Sequence, residues 1–271
     1  MDFTAGSPGT PGWRWLPAGT TADAVLLLAA RGVRAFGDGF ISVLLPVYLL
    51  GRGLSGAQVG AVATATLLGS AALTLAVGLV AHRFGVRPLL AGAAVLMAAT
   101  GLCFALVHDF WPLLIVAFVG TLNPSSGDVS VFLPLEQSVL PRTVGSQGRT
   151  ALFARYSLVG SLIGATGALV AGVPQVVAGR GWLSLDQALQ AMFGVYGGLG
   201  LVALIAYSRL STSLDDAHQT HVPLKESRRI VYTLAGLFSL DALGGGFIVQ
   251  SLLALWLFER FDLSIATAGT I

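Results

Sequence analysis

Charge is what this sequence has least of. Only 10% of its 271 residues are Asp, Glu, Lys or Arg, where soluble domains carry about 25%. Such a chain cannot cover a water-facing surface, so a soluble domain is excluded. Cysteine is nearly absent as well. Cys103 stands alone in an apolar run and cannot form an internal disulfide. The four histidines have no metal-ligand spacing, so neither metal nor cofactor is expected. Neither the phosphate-binding G-x-x-x-x-G-K-[ST] loop nor the hydrolase patterns H-E-x-x-H and G-x-S-x-G occur. These absences speak against an ATP-driven motor and against an enzyme working within the membrane. The net charge of +2 comes from scattered basic residues, which excludes a nucleic-acid partner.

What the chain has instead is apolar length. It is 55% hydrophobic, with a mean hydropathy of +0.80. Stretches long enough to cross a bilayer (~20 residues) fall at about 22–50, 56–81, 88–107, 111–140, 148–173, 188–208 and 230–258, and an eighth begins at Leu263. The fold class is therefore all-α and integral to a lipid bilayer. Residues 1–20 are rich in Gly, Pro and Thr and read as a disordered tail. No basic segment precedes the first apolar run, so it is not a signal peptide.

Loop charge sets the expected orientation. Arg83, Arg87, Arg142, Arg149, Arg209, Lys225, Arg228 and Arg229 lie in loops on one side, against Arg52 and Arg180 on the other. The positive-inside rule puts the basic side and the N-terminus in the cytoplasm, here of a bacterial-type inner membrane. An internal echo divides the chain. Gly39-Phe40-Ile41 returns as Gly246-Phe247-Ile248, and Leu54-Ser55 with Gly60 returns as Leu263-Ser264 with Gly269. Six spans separate the copies, so the repeat is parallel. The expected units are a tail (1–20), a six-helix bundle (21–209), a cytoplasmic linker (210–228) and the start of a second bundle (229–271).

The most informative stretch is Val33–Leu50. Arg31, Arg34, Asp38 and Ser42 follow at steps of three, four and four, which places them on one helical face. A charge at the bilayer centre costs at least ~2.5–3.5 kcal/mol on insertion scales, so it should face protein or water. Arg34 and Asp38 are i,i+4 partners that could neutralise each other. They read either as a structural ion pair or as the lining of a polar pathway.

Span 4 contains Asn123-Pro124-Ser125-Ser126-Gly127-Asp128, a poor continuous helix because of Pro124 and Gly127. On a regular helix Asn123, Ser126, Ser130 and Gln137 share a face, and Asp128 points elsewhere unless the helix breaks. Glu136 reads as interfacial. Arg155 in span 5 could pair with Asp128 or Glu136. The glycines at 160, 164 and 167 suit close helix packing. Span 7 carries Asp241, then Gly244-Gly245-Gly246, then Gln250. The three glycines permit a bend or a close approach.

The chain resembles the major facilitator superfamily. The loop between spans 2 and 3 reads Gly78-Leu-Val-Ala-His82-Arg83-Phe-Gly85-Val86-Arg87. It is similar to the family pattern G-x-x-x-D-R-x-G-R-[RK], with Gly78, Arg83, Gly85 and Arg87 matching. His82 stands where the family has an acidic residue, which would weaken a cytoplasmic gate latch or make it pH-sensitive. The alternative reading of the loop is a tight glycine turn flanked by positive-inside arginines. The resemblance implies twelve spans in two halves. This chain is then the N-terminal six-helix bundle plus span 7 and a stub of span 8, with the rest of the C-terminal half expected in the native chain. It implies that spans 1, 4 and 7 line a central cavity. Arg31, Arg34, Asp38, Asn123, Asp128, Arg155, Asp241 and Gln250 are the candidate solute and proton pathway. The function implied is secondary active transport of a small solute by alternating access, proton-coupled and leaning to efflux. A scaffold or receptor on the same fold is the alternative.

Overall fold

The computed structural model describes residues 15–81, 83–124, 130–215, 228–246, 249–261 and 265–268, and every regular element among them is helical. Helix α1 (Ala22–Gly51) is followed by α2 (Gly56–Val80), α3 (Val86–Leu106), α4 (Phe110–Val119) and α5 (Phe132–Val139). Next come α6 (Arg149–Val170), α7 (Val173–Gly179), α8 (Leu185–Ser208), α9 (Arg228–Gly246), α10 (Gln250–Phe261) and α11 (Ile265–Ala268). Five stretches are long and apolar enough to cross a membrane: α1, α2, α3, α8 and the segment Ser146–Gly179 that holds α6 and α7.

The helix boundaries follow local chemistry. Ser55 and Gln58 form a reciprocal capping box at the start of α2, and Ser184 and Gln187 form one at the start of α8. Each satisfies amides that the first helical turn leaves open. At the end of α1 the chain turns through Gly53, whose φ of +80° favours a residue without a Cβ.

Span 4 is divided. Helix α4 stops at Val119, residues 121–123 are not helical, and α5 begins only at Phe132. The regular-helix face of Asn123, Ser126, Ser130 and Gln137 therefore does not form. Asn123 and Ser130 are buried and Gln137 is exposed, while Ser126 lies outside the described residues.

Helix α1 is the hub. Its central stretch is buried on nearly every side, and it packs against α6, α8 and α10. Helix α3 packs along α8, and α2 along α4. The α1–α6 seam is tight because glycines face it. A Cβ on Gly39 would lie 2.1 Å from the Gly164 carbonyl oxygen, and one on Gly167 would lie 2.1 Å from that of Phe36.

Two short segments flanking the bundle, residues 15–20 and 211–215, are tied to it by hydrogen bonds. Residues 15–20, expected in a disordered tail, form a turn in which the Thr20 hydroxyl donates to Pro17 O at 2.6 Å. Thr21 N then donates to Thr143 O at 2.9 Å, which ties this segment to the loop before α6. Residues 1–14 and most of the expected linker, 216–227, lie outside the described residues. The linker's first residues are pinned down. Ser211 N donates to Asp23 Oδ1 at 2.9 Å, and Arg142 Nη1 donates to Leu214 O at 3.4 Å.

Candidate functional site

Arg34 and Asp38 of α1 do not form an ion pair with each other. Arg34 turns instead toward Glu136 of α5, donating through Nη2 to Oε2. Its Nε donates to the Tyr207 hydroxyl of α8 at 2.8 Å. Tyr207 in turn donates to Glu136 Oε1 at 2.7 Å, and the Tyr156 hydroxyl of α6 donates to Oε2. The guanidinium also lies over the Phe132 ring, 4.1 Å from its centroid. Four helices thus meet at one carboxylate. The ion pair is sealed, with side-chain exposures of 1% and 0%. Burying two charges is costly, and it is offset only when the remaining donors and acceptors are satisfied. Here charge-assisted hydrogen bonds from three side chains do so.

Two expectations are corrected by this arrangement. Glu136 is not interfacial but the centre of the buried network. Its burial follows from its register, since Phe132, Leu135 and Val139 share its buried face. Arg155 does not pair with Glu136, whose acceptors are already engaged. Arg155 is half-buried beside the Trp15 ring, 6.0 Å from its centroid, against Pro17, Gly148 and Ala151 in a cavity of about 480 Å³.

Asp38 lies one turn further along α1, 5% exposed. It accepts a long hydrogen bond of 3.4 Å from the Tyr196 hydroxyl of α8. That hydroxyl is nearer to the Thr121 carbonyl, at 3.1 Å, and its one hydrogen cannot serve both. Among the described residues Asp38 has no ion pair within 4 Å. Glu136 is therefore locked by three donors, whereas Asp38 is held by a fraction of one. Arg31 is buried on the α6 side, lying across Gly160 with its guanidinium 5.3 Å from the Tyr156 ring centroid.

Thr121 belongs to the unwound part of span 4, and span 7 reaches the same level. Ser251, in the first turn of α10, donates to Pro124 O through its hydroxyl at 2.6 Å and through its amide at 3.1 Å. Helix α9 runs through Gly244–Gly246, and α10 starts at Gln250 after the non-helical Val249. Two interrupted spans thus join where one gives an unpaired carbonyl and the other the open amide of a helix start. Irregular backbone at membrane depth occurs where protein or a cavity covers it. Gln250 is exposed. Asp128, and the side chain of Asp241, lie outside the described residues.

In the 2–3 loop, Gly78 and Arg83 are exposed and His82 lies outside the described residues. An acid from elsewhere engages this loop. Asp215 Oδ1 accepts from Arg87 N at 3.0 Å, in the first turn of α3, and sits where a Cβ on Gly85 would be. Arg87 Nη2 donates to Ser208 O at the end of α8.

A bundle of membrane-length helices around a sealed ionic network, with two spans broken beside it, defines a polytopic integral membrane protein. The family model of the Major Facilitator Superfamily matches residues 27–271, and the chain belongs to that family. It is 22% identical over 284 residues to an uncharacterized membrane protein of Saccharomyces cerevisiae, YJR124C, covering 92% of this chain and 63% of the yeast protein. It is 31% identical over 179 residues to MdtD of Klebsiella pneumoniae (strain 342), a protein named for multidrug resistance, covering 64% of this chain and 37% of MdtD. Among solved structures, a bacterial homologue of the human drug peptide transporters PepT1 and PepT2 superposes with a TM-score of 0.58 at 17% identity, over 89% of this chain and 51% of that one. A peptide transporter, POT, in complex with sulfate gives 0.55 at 15%, over 94% and 50%. The fold is shared with these transporters, and the chain spans about half their length.

Proposed function

We propose that the chain acts within a secondary active transporter that moves a small solute by alternating access. The observation that carries this reading is the junction of the two interrupted spans, Ser251 on Pro124, beside the under-donated carboxylate of Asp38. Broken helices that meet near the bilayer midplane supply backbone groups to a solute site. Asp38 is the proposed proton carrier. As a carboxylate it is buried with half a donor. Protonated, it becomes a donor itself and could bond Tyr196 Oη while Tyr196 keeps Thr121 O. Protonation thus trades a poorly solvated charge for a satisfied neutral group as the site changes sides. Glu136 is the fixed counterpart, its charge matched by Arg34 and its oxygens filled.

Proton coupling is supported by this contrast, and export by the name that MdtD carries. Loop charge supports a cytoplasmic N-terminus in an inner membrane. The C-terminal half of the relatives would complete the cavity. The test uses the full-length protein in liposomes with an imposed pH gradient and a panel of labelled carboxylates and lipophilic cations. Gradient-dependent flux of one solute, abolished by Asp38→Asn and retained in Gln137→Ala, is expected. Flux unchanged in Asp38→Asn removes Asp38 from the coupling role. No gradient-dependent flux of any solute argues for a scaffold instead.

A further inference from the structure

A second buried arginine is held very differently from Arg34. Arg52 caps the C-terminal end of α1, at the opposite end from Ala22. Its side chain is 6% exposed. Its Nε lies 3.4 Å from Asp186 Oδ1, yet among the described residues none of Nε, Nη1 and Nη2 has a hydrogen-bond partner within geometry, and each is closed to solvent. The guanidinium rests on the Tyr48 ring, 4.7 Å from its centroid. That contact covers one face of the cation. Asp186 is a poor substitute for a partner. It is 54% exposed, and its Oδ2 already accepts from Gln190 Nε2 at 2.7 Å. The Nη1/Nη2 edge of an arginine is a planar fork that fits a carboxylate, and here that edge is vacant of partners.

Aromatic rings neighbour it. Tyr48 packs on Phe193 at 4.4 Å between centroids, and Phe193 stacks on Phe104 at 5.5 Å. These rings are closed to solvent, so a small carboxylate with an apolar body would meet fork and ring together only once the helices around them part. We propose that the Nη1/Nη2 edge of Arg52 recognises the carboxylate of an apolar organic acid, reached when the elements packed on this end of α1 part. Asp186, beside the fork, lies in the first turn of α8, which packs on α1, so a parting of α8 from this end of α1 would expose the fork. The inference names a solute class for the transport reading above and rests on it.

The experiment measures the thermal midpoint of the purified full-length protein in detergent, with benzoate and with its neutral counterpart benzamide at matched ionic strength. Benzoate is expected to raise the wild-type midpoint by about 2–4 °C when well above its dissociation constant, and benzamide to leave it unchanged. Arg52→Met is expected to lose the rise, and without ligand to melt no lower than wild type, since Asp186 stays solvated and a buried charge without hydrogen bonds is gone. Arg52→Gln serves as the second variant should the first not fold. Three results overturn the proposal: no rise in wild type, a rise that survives in both variants, or ligand-free midpoints well below wild type in both. The proton-driven flux assay is separate. A benzoate rise that depends on Arg52 in a protein that moves nothing leaves the site in place and removes the transport reading.

Discussion

Arg34 and Glu136 are joined across four helices, although the acid nearest Arg34 in sequence on the same face is Asp38. The ion pair bridges α1 and α5, and the hydroxyls of Tyr156 and Tyr207 draw in α6 and α8. In a bilayer the hydrophobic effect does not drive one helix against another, so packing and interhelical polar contacts must hold the bundle. This network supplies such contacts where span 4 is interrupted and has least helix of its own.

Removing one member should therefore be expensive. Glu136→Gln leaves a buried guanidinium unbalanced, at a cost of about 3–5 kcal/mol. Tyr207→Phe takes one donor from a charged acceptor, at about 1.5–3 kcal/mol. Arg34→Met with Glu136→Met should be less damaging than the two single changes added together, with a coupling of about 0.5–3 kcal/mol. Thermal unfolding of the five variants in detergent checks this. Single-variant losses below about 1 kcal/mol would show that the network is not a structural tie.

The seam between α1 and α6 makes a steric prediction. Gly167→Ala places a methyl 2.1 Å from a backbone oxygen. Backbone cannot rotate aside as a side chain can, so the helices must separate along their length. A loss of about 1–3 kcal/mol is expected, as for other overpacked cores. Gly179→Ala is the control, since a Cβ there meets nothing within 4 Å. Equal melting of the two variants would contradict the seam.

Asp215 gives the 2–3 loop an acidic partner at the start of α3. Its carboxylate accepts from the first turn of α3, where a negative charge also meets the positive end of the helix dipole. Asp215→Ala should cost about 1 kcal/mol, the usual worth of a lost cap. Gly85→Ala should cost a similar amount by pushing Asp215 away, because its Cβ would lie 2.3 Å from Oδ1. Once Asp215 is gone that collision is gone, so the double variant should melt close to Asp215→Ala alone. Simple additivity of the two changes would mean that they do not act through one contact.

How much of this was legible beforehand depends on range. The spans were visible because apolar length is a local property, and the weakness of span 4 was visible in Pro124 and Gly127. The 2–3 loop carried the family resemblance in four matching positions within ten residues, Gly78, Arg83, Gly85 and Arg87. The partners were not visible. Arg34 had a carboxylate four residues away, and local spacing favoured it. Glu136, more than a hundred residues on, takes its place only because α5 turns one face inward after the break. A signal did exist, since Glu136 interrupts the apolar stripe of Phe132, Leu135 and Val139, as a wanted buried charge does. Tyr156, Tyr196 and Tyr207 carried none, because a tyrosine in an apolar helix looks the same whether or not its hydroxyl is used. Asp215 was hidden for a similar reason, lying in a polar stretch that read as linker.

The contact between Ser251 and Pro124 gives the last prediction. Two hydrogen bonds converge on one carbonyl, at 2.6 Å from the hydroxyl and 3.1 Å from the amide. Ser251→Ala removes the first and leaves the second, so the fold should survive. The net worth of such a bond is about 0.5–1.5 kcal/mol, which is roughly a two- to tenfold change in a two-state equilibrium. If spans 4 and 7 part during the transport cycle, the bond is made in the joined state alone, and its loss must shift the population toward the parted state. Spin labels placed on α4 and α10 of the full-length protein report this as a distance distribution. The Ser251→Ala protein should gain the longer distance without a new intermediate one. A distribution identical to wild type would mean that Ser251 and Pro124 stay together throughout, and the moving boundary between the halves would then lie elsewhere.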